Sequence, residues 1–160
     1  MKVLMLAWGN PSRGDDAVGP WFAECFARRQ SDGFKLLEAF QLQIEHLLDC
    51  RENQLLLFVD ATADPCDDFR FSEIEPITQV SHTSHALAPT ELLHHYTGVF
   101  HEPPPPAFQL AVPGTDFELG RAMSVATLQC CQRAAEFVAD LLRRPDPEHW
   151  RQQVSEIEIL

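Results

Sequence analysis

The sequence predicts an α/β fold in which a three-layer, open, twisted and mostly parallel sheet lies between helices. Two observations lead to this prediction: short apolar runs alternate with segments of helical periodicity, and the first apolar run ends in a glycine loop. The chain has 160 residues, of which 45% are hydrophobic, so it can form one full core. We therefore expect a single α/β domain over residues 1–144 and a C-terminal tail over 145–160 that can form a helix.

The first half of the chain shows the alternation most clearly. Its predicted elements are a strand at 2–8, a helix from Asp16 to about Arg29, a strand at 34–40, a short helix at 43–50 and a strand at 54–61. The third strand is nearly all apolar, as a strand buried on both faces is, and its last apolar residue directly precedes Asp60. In such a sheet the ligand site lies at the carboxyl ends of the parallel strands.

The second half adds two strands and two helices. The strands are predicted at 69–75 and 107–114, and the helices at 89–98 and from about Ser124 to Arg144. Apolar and polar residues alternate in the first of these segments, which predicts an antiparallel strand at the edge of the sheet. Pro89 suits the first turn of a helix. The apolar positions between Val125 and Leu142 predict one buried face on the last helix.

Composition excludes several classes of partner. Asp and Glu number 24 against 12 Lys and Arg, a formal charge of -12, so we expect no nucleic acid and no anionic membrane surface as partner. The N-terminal apolar run is too short for a signal peptide and no segment approaches a membrane-spanning length, which predicts a cytoplasmic protein. Five cysteines without a CxxC pair predict reduced thiols rather than a disulfide framework or a zinc ribbon.

The first loop, GNPSRGDD, combines the glycine spacing of a phosphate-binding loop with two acids. Asp15 and Asp16 stand where that motif has Lys and Ser or Thr, so the loop would repel a phosphate. Asp60 ends the third strand, and the loop SHTSH, with His82 and His85, precedes the helix at 89–98. We expect these three segments to converge at the carboxyl edge of the sheet.

Two carboxylates and an imidazole form an oxygen and nitrogen set that suits zinc or nickel. Without a metal, the same acids can act as base and acid. Simpler interpretations stay open: Asp60 can cap a helix or loop, and an acid at a helix start complements the helix dipole. Glu91, His94 and His95 have metal-ligand spacing, but a solvated helix face explains them more simply.

Four stretches resemble, in order, the motifs of the hydrogenase maturation endopeptidases, which remove a C-terminal peptide from the large subunit of [NiFe]-hydrogenase. They are LAWGNPSRGDDAVG, LLLFVDA, SHALAPTELL and AVPGTDFELGRAMS, and they lie within about the first 142 residues. Ala7 and Ala17 replace two glycines of the family's opening motif, which implies a less tight loop. Neither change removes a ligand.

The resemblance implies a twisted sheet between helices, of the phosphorylase/hydrolase-like kind, with residues 1–144 as the protease domain. It implies that Asp16, Asp60 and His85 are both the metal contacts and the catalytic residues. It also implies that no cofactor is tightly bound, that nickel is recognised in the substrate, and that a divalent metal such as Ni, Zn or Cd can occupy the site. The expected partner is a [NiFe]-hydrogenase large-subunit precursor, and we expect a monomer.

Two other functions remain open from the sequence alone. A nickel-sensing or chaperone-like module would bind the hydrogenase precursor without cutting it, so cleavage distinguishes it from a protease. A nucleotide-binding domain is disfavoured by the two acids after the glycine loop and by the lack of a Gly-x-Gly-x-x-Gly stretch. Whether hydrolysis is metal-activated or of the acid/base kind is also left open.

Overall fold

A five-stranded sheet runs through the part of the chain that the computed structural model describes, residues 1–80 and 86–155. Its strands are β1 (Val3–Trp8), β2 (Phe34–Ala39), β3 (Leu55–Thr62), β4 (Arg70–Ile74) and β5 (Ala107–Pro113). The helices are α1 (Val18–Phe26), α2 (His46–Arg51), α3 (Pro89–Phe100), α4 (Val125–Arg143) and α5 (Pro147–Gln152). Short 3-10 turns at Gly14–Ala17 and Ala27–Arg29 flank α1.

The strand order is β2-β1-β3-β5-β4. The first four strands in this order pair in parallel, and β4 pairs antiparallel with β5 at the edge. This arrangement confirms the predicted open, mostly parallel sheet and the antiparallel edge strand. In the shared register Ala7 pairs with Val59 and Asp60 pairs with Ala111, so the carboxyl ends of β1, β3 and β5 meet at one edge.

Both faces of the sheet are covered, which explains why its central strands are continuously apolar. Val3, Met5 and Ala7 of β1 belong to a core cluster with residues of α1 and α4. The alternate residues, Leu4, Leu6 and Trp8, belong to a second cluster with residues of α2 and α3. The helices therefore form two layers with the sheet between them, as the sequence predicts.

The buried face of α4 differs from the predicted one at its first turn. Val125 is 72% exposed, whereas Thr127 is buried. Thr127 tolerates this position because its hydroxyl donates to the Pro113 carbonyl oxygen at 3.1 Å and its backbone N–H donates to the Ser124 side chain. A hydroxyl that forms a hydrogen bond costs little free energy inside a core, and the first residue after a helix N-cap need not face the core.

The segment after α4 closes the β4 edge of the sheet. Trp150 of α5 is fully buried, and its indole N–H donates to the carbonyl oxygens of Leu141 and Arg144. Ser155 donates its backbone N–H to the Phe71 carbonyl oxygen at 2.9 Å, and Phe71 donates its own to the Ser155 hydroxyl at 3.2 Å. These bonds satisfy backbone groups that an edge strand would otherwise expose.

The cysteines are free, as the sequence predicts. Cys50, Cys130 and Cys131 are buried, Cys66 is half-buried and Cys25 is exposed. Within the described residues, no helix has both the length and the apolar character needed to span a membrane.

Candidate functional site

The crevice between β1 and β3 is the point where the chain connections leave the sheet in opposite directions. The connection from β1 passes through α1 on one face to β2. The connection from β3 to β5 passes through α3 on the other face. Such a switch point leaves a gap outside the carboxyl ends of the two strands, which is where open α/β sheets bind ligands. The glycine loop leaves β1 at this gap, and Asp60 lies near the end of β3.

Asp16 lies in the 3-10 turn that follows the glycine loop. Its Oδ2 accepts a hydrogen bond of 2.7 Å from the Asn10 backbone N–H, which folds the loop back on itself. Gly9 has φ +151° and lies so close to the Asp16 carbonyl oxygen that any Cβ there would collide with it. The glycine is therefore required to bring Asp16 over the end of β1.

Asp60 is a half-buried acid with a strongly shifted pKa. Its position on β3 alternates with Val59, so its side chain lies on the sheet face that carries α2 and α3. Burial raises the pKa of the Asp60 carboxyl to about 7; a 2.8 Å hydrogen bond from the Ala61 backbone N–H opposes the rise, and the charge of Asp16 adds to it. The structure thus brings Asp16 and Asp60 within electrostatic reach of each other.

Asp15 has a different role from its neighbour. It is fully buried, and its carboxylate accepts hydrogen bonds from the backbone N–H groups of Thr115, Asp116 and Ser124 and from the Ser124 hydroxyl. Burial alone would raise the pKa of the Asp15 carboxyl, but these hydrogen bonds outweigh it and leave the pKa below 3.8. Asp15 therefore ties the glycine loop to the segment between β5 and α4.

The sequence allows two interpretations of the adjacent acids Asp15 and Asp16, as side chains of a metal or acid/base site or as complements to the helix dipole. Neither describes the role of Asp15. The helix-dipole explanation pairs the carboxylate with the start of its own helix, whereas the buried Asp15 carboxylate bonds to backbone N–H groups of residues 115, 116 and 124. Further bonds join the same segments: Asp15 N–H donates to Asp116 O, Gly14 N–H to Arg121 O and Gly120 N–H to Ser12 O. The double acid was the available signal in the sequence, but the partners lie about a hundred residues away.

The predicted histidine ligand, His85, lies outside the described residues, as does His82. Its convergence with Asp16 and Asp60 stays a prediction. Within residues 1–80 and 86–155, no three His, Cys, Asp or Glu side chains are placed to hold a metal ion together. On α3, His94 Nδ1 lies 2.8 Å from the Ile77 carbonyl oxygen, so this ring has a structural bond to the chain that follows β4.

Two carboxylates at one crevice, one of them with a pKa near neutrality, have two chemical uses. Their oxygens can contact a divalent cation that brings its remaining ligands with it. Alternatively, Asp60 can accept and donate a proton close to pH 7. In the described part of the chain, neither Asp16 nor Asp60 forms an ion pair with a Lys or Arg side chain. No Lys or Arg of the described residues therefore neutralises either carboxylate.

Comparison with known proteins gives a structural result only. No family model matches the sequence, and no curated protein matches it. Among solved structures, the hydrogenase maturating endopeptidase HybD from E. coli has a TM-score of 0.74 and 18% identity, over 91% of this chain and 94% of that one. The [NiFe] hydrogenase maturation protease HycI from Thermococcus kodakarensis has a TM-score of 0.72 and 18% identity, over 89% and 93%.

A third solved structure extends the comparison to another organism. The hydrogenase 2 maturation peptidase from a Thaumarchaeota archaeon has a TM-score of 0.63 and 18% identity, over 89% of this chain and 98% of that one. The chain therefore has the fold of the hydrogenase maturation proteases over nearly its whole length. This finding confirms the fold that the sequence resemblance implied.

Proposed function

We propose that the protein is an endopeptidase that removes the C-terminal peptide of a [NiFe]-hydrogenase large-subunit precursor after nickel insertion. The observation that carries the proposal is the pair of acids, Asp16 and Asp60, at the switch point of a sheet with the fold of hydrogenase maturation proteases. The matching order of the sequence motifs supports it further. We also propose that it acts as a monomer in the cytoplasm.

Nickel belongs to the substrate in this proposal. Asp16, Asp60 and His85 would supply two carboxylates and one imidazole from three separate segments of the chain, fewer fixed ligands than a permanent structural metal site normally has. Thiolates of the precursor would hold the nickel, and the three side chains would test whether it is present. The protein would therefore carry no tightly bound metal, although a divalent ion such as Ni, Zn or Cd can occupy the site.

The reaction adds water across a peptide bond. The water oxygen bonds to the carbonyl carbon, the bond from carbon to nitrogen breaks, and one proton moves from the water to the leaving amine. Asp60 is suited to move this proton because burial brings its pKa to about 7. Asp16 and His85 would then orient the nickel-bearing end of the precursor. In the alternative route all three side chains only position the substrate, and nickel polarises the carbonyl.

Cleavage of a purified precursor tests the proposal directly. Nickel-loaded and metal-free large subunits are each mixed with the protein, and the products are weighed by mass spectrometry. We expect the nickel-loaded form to lose its C-terminal peptide and the metal-free form to stay intact. Binding without any mass loss would favour the binding-module alternative. One tightly held metal ion per chain, with equal cleavage of both forms, would instead indicate a self-contained metalloprotease.

Matched variants connect the activity to the crevice. Asp16→Asn and Asp60→Asn keep side-chain shape and remove charge, and we expect both to lose cleavage while remaining folded. Asp32→Asn removes the same charge from an exposed turn before β2, at the opposite edge of the sheet, and should leave cleavage unchanged. Normal cleavage by both crevice variants would assign these acids a structural role.

A further inference from the structure

A pocket with a volume of about 340 Å³ lies at the opposite end of the sheet from Asp16 and Asp60. Three segments form it: the turn after α1, the start of β2 and the end of α4. Its lining residues are Arg29, Ser31, Phe34, Ala139, Leu142 and Arg143. Ligand pockets in proteins usually measure roughly 300–1,000 Å³, so this one suits a small molecule.

The position of the pocket separates it from the proposed reaction. Phe34 is the first residue of β2 and pairs with Val3 at the beginning of β1. Asp16 instead follows the carboxyl end of β1. Strand β1 has six residues, and at about 3.3 Å per residue it separates the two regions by roughly 20 Å. Nothing in the proposed roles of Asp16, Asp60 and His85 therefore uses the pocket.

The floor of the pocket, formed by Phe34, Ala139 and Leu142, is apolar and belongs to the main core. Phe34 is 7% exposed and lies in the same core cluster as residues of α1 and α4. Ala139 and Leu142 pack against this cluster and stay partly exposed. Because packed core side chains keep a fixed shape, the floor is preformed, and an apolar group that covers it is removed from water.

The turn over residues 31–34 places a hydroxyl beside this floor. Ser31 and Phe34 exchange backbone hydrogen bonds of 2.9 and 3.3 Å, which fix the turn. The Ser31 hydroxyl oxygen accepts a hydrogen bond of 3.2 Å from the Gly33 backbone N–H. A hydroxyl carries one proton in addition to its acceptor sites, so Ser31 can still donate a hydrogen bond to a ligand.

Two guanidinium groups flank the floor. The Arg29 guanidinium carbon lies 5.2 Å from the Phe26 ring centroid, a cation–π contact that holds this side chain against α1. In the described part of the chain, Arg29 forms no ion pair. Arg143 contacts Asp140 at 3.4 Å, but the two side chains are 81% and 73% exposed. Such a surface pair contributes little, so Arg143 can exchange it for a ligand.

The charge around the pocket is opposite to that of the chain as a whole. Acids outnumber bases by 24 to 12 in the sequence, yet none of the described residues that line the pocket is Asp or Glu. Helix dipoles explain part of this, because Arg29 and Arg143 lie in the last turns of their helices. They do not explain why both arginines flank the same apolar floor. An anion with an apolar body fits both features.

We propose that this pocket binds a small carboxylate with a short aliphatic chain. The planar carboxylate pairs with the guanidinium fork of Arg29 and accepts a hydrogen bond from the Ser31 hydroxyl, and Arg143 supplies a second positive charge. The aliphatic chain covers the floor. Inorganic phosphate can use the guanidinium groups but not the floor, and an alcohol can use the floor but not the guanidinium groups. The site does not depend on the proposed peptidase function.

An NMR titration of the full chain with hexanoate tests the site. Physiological ionic strength screens the repulsion from acids farther away than about 8 Å. We expect saturable amide shifts at residues 31–34 and 139–143 and none at residues 14–17. Hexanol and inorganic phosphate, which each use one half of the site, should bind at least about tenfold more weakly. The absence of a saturable shift, or equal affinities for hexanol and hexanoate, overturns the proposal.

Matched arginine variants test the recognition of charge. Arg29→Gln removes a guanidinium that lines the pocket and should raise the Kd for hexanoate about tenfold. Arg28→Gln removes the same charge from the neighbouring exposed residue, which does not line the pocket, and should change the Kd less than about twofold. Equal effects of the two substitutions would reveal only a general attraction to this helix end and would reject the site. The titration contains no hydrogenase precursor, so a failure of the peptidase proposal leaves its result valid.

Discussion

Ser124 donates both its backbone N–H and its hydroxyl to the Asp15 carboxylate, at 2.8 and 3.2 Å, across 109 residues of sequence. The same serine caps α4, because its hydroxyl oxygen accepts a hydrogen bond from the Thr127 backbone N–H. One buried carboxylate therefore organises both the loop that carries Asp16 and the start of the longest helix.

Asp15→Asn should destabilise the protein by about 2–4 kcal/mol, because it replaces one acceptor oxygen with an NH₂ group that faces backbone donors. Urea unfolding measures this change. Asp16→Asn is the neighbouring control and should cost under about 1 kcal/mol, since Asp16 is partly solvated and accepts one bond from Asn10. Equal losses in the two variants would contradict the separate roles of the two acids.

The decrease in the free energy of unfolding at low pH should also depend on Asp15. Its folded-state pKa lies below the unfolded value of 3.8, so its contribution is complete above pH 3.8 and is lost as pH falls through the folded pKa. We expect the wild type to lose more stability than Asp15→Asn between pH 5 and the acid transition. Urea titrations at a series of pH values measure the difference. If both proteins lose stability in parallel as pH falls, another carboxylate dominates the unfolding at low pH.

Asp60 should have the opposite effect on stability. Its pKa is about 7 in the folded protein and 3.8 in the reference state, so between these values the folded protein holds a proton that the unfolded chain releases. The free energy of unfolding should therefore fall as pH rises from about 4 to 7. We expect Asp60→Asn to be more stable than the wild type by on the order of 1–3 kcal/mol at pH 8, and nearly equal to it at pH 4. A pH-independent difference between the two proteins would rule this out.

His82 and His85, which precede α3 in the sequence, should differ in importance. By resemblance, only His85 matches the family's histidine, so His85→Ala should abolish cleavage of the nickel-loaded precursor. His82→Ala should retain most of the activity and serves as the matched control. Initial cleavage rates of both variants, with circular dichroism to confirm folding, measure this. Loss of activity in His82→Ala alone would transfer the third ligand position to that residue.

Removal of the Trp150 side chain should strongly destabilise the fold. The indole is fully buried and makes edge contacts with Phe71 and Phe108, whose ring centroids are 6.2 and 5.4 Å away. Trp150→Ala should cost about 3–5 kcal/mol. Trp150→Phe keeps most of the packing and loses the indole hydrogen bonds, so it should cost about 1–2 kcal/mol. Thermal unfolding of both variants tests the role of α5. A loss of stability below about 1 kcal/mol for Trp150→Ala would contradict that role.

The fold could be predicted because its signals are local. Apolar runs of strand length and three- to four-residue spacing are set by neighbouring residues, and both are visible in β1, β3 and α4. The position of Asp60 after the last apolar residue of a buried strand likewise predicts that it lies near the edge where such sheets bind ligands, and the structure places it two residues before the end of β3. The edge strand β4 followed from its alternating pattern.

The parts that could not be predicted depend on contacts between distant segments. The partners of Asp15 lie on residues 115, 116 and 124, and no local pattern indicates them. The burial of Trp150 depends on where α5 packs against the sheet, which its short sequence does not specify. Val125 is exposed because it directly follows the capping Ser124, and the hydrogen-bonded Thr127 takes the buried position instead. Hydrophobic periodicity alone does not distinguish such a valine from a core residue.

Trp8 gives the protein an internal optical reporter. It is the last residue of β1, is 8% exposed and packs edge-on against Phe58 at 6.1 Å, directly before the glycine loop. Indole emission responds to the charge and polarity of its surroundings, so a cation or a peptide entering the crevice would change the Trp8 signal, and stopped-flow mixing can follow that change. Of the other two tryptophans, Trp150 is buried beneath the β4 edge and would give a constant background, and a Trp21→Phe substitution removes the signal of the half-buried indole on α1. Arrival of the substrate can thus be timed separately from the cut.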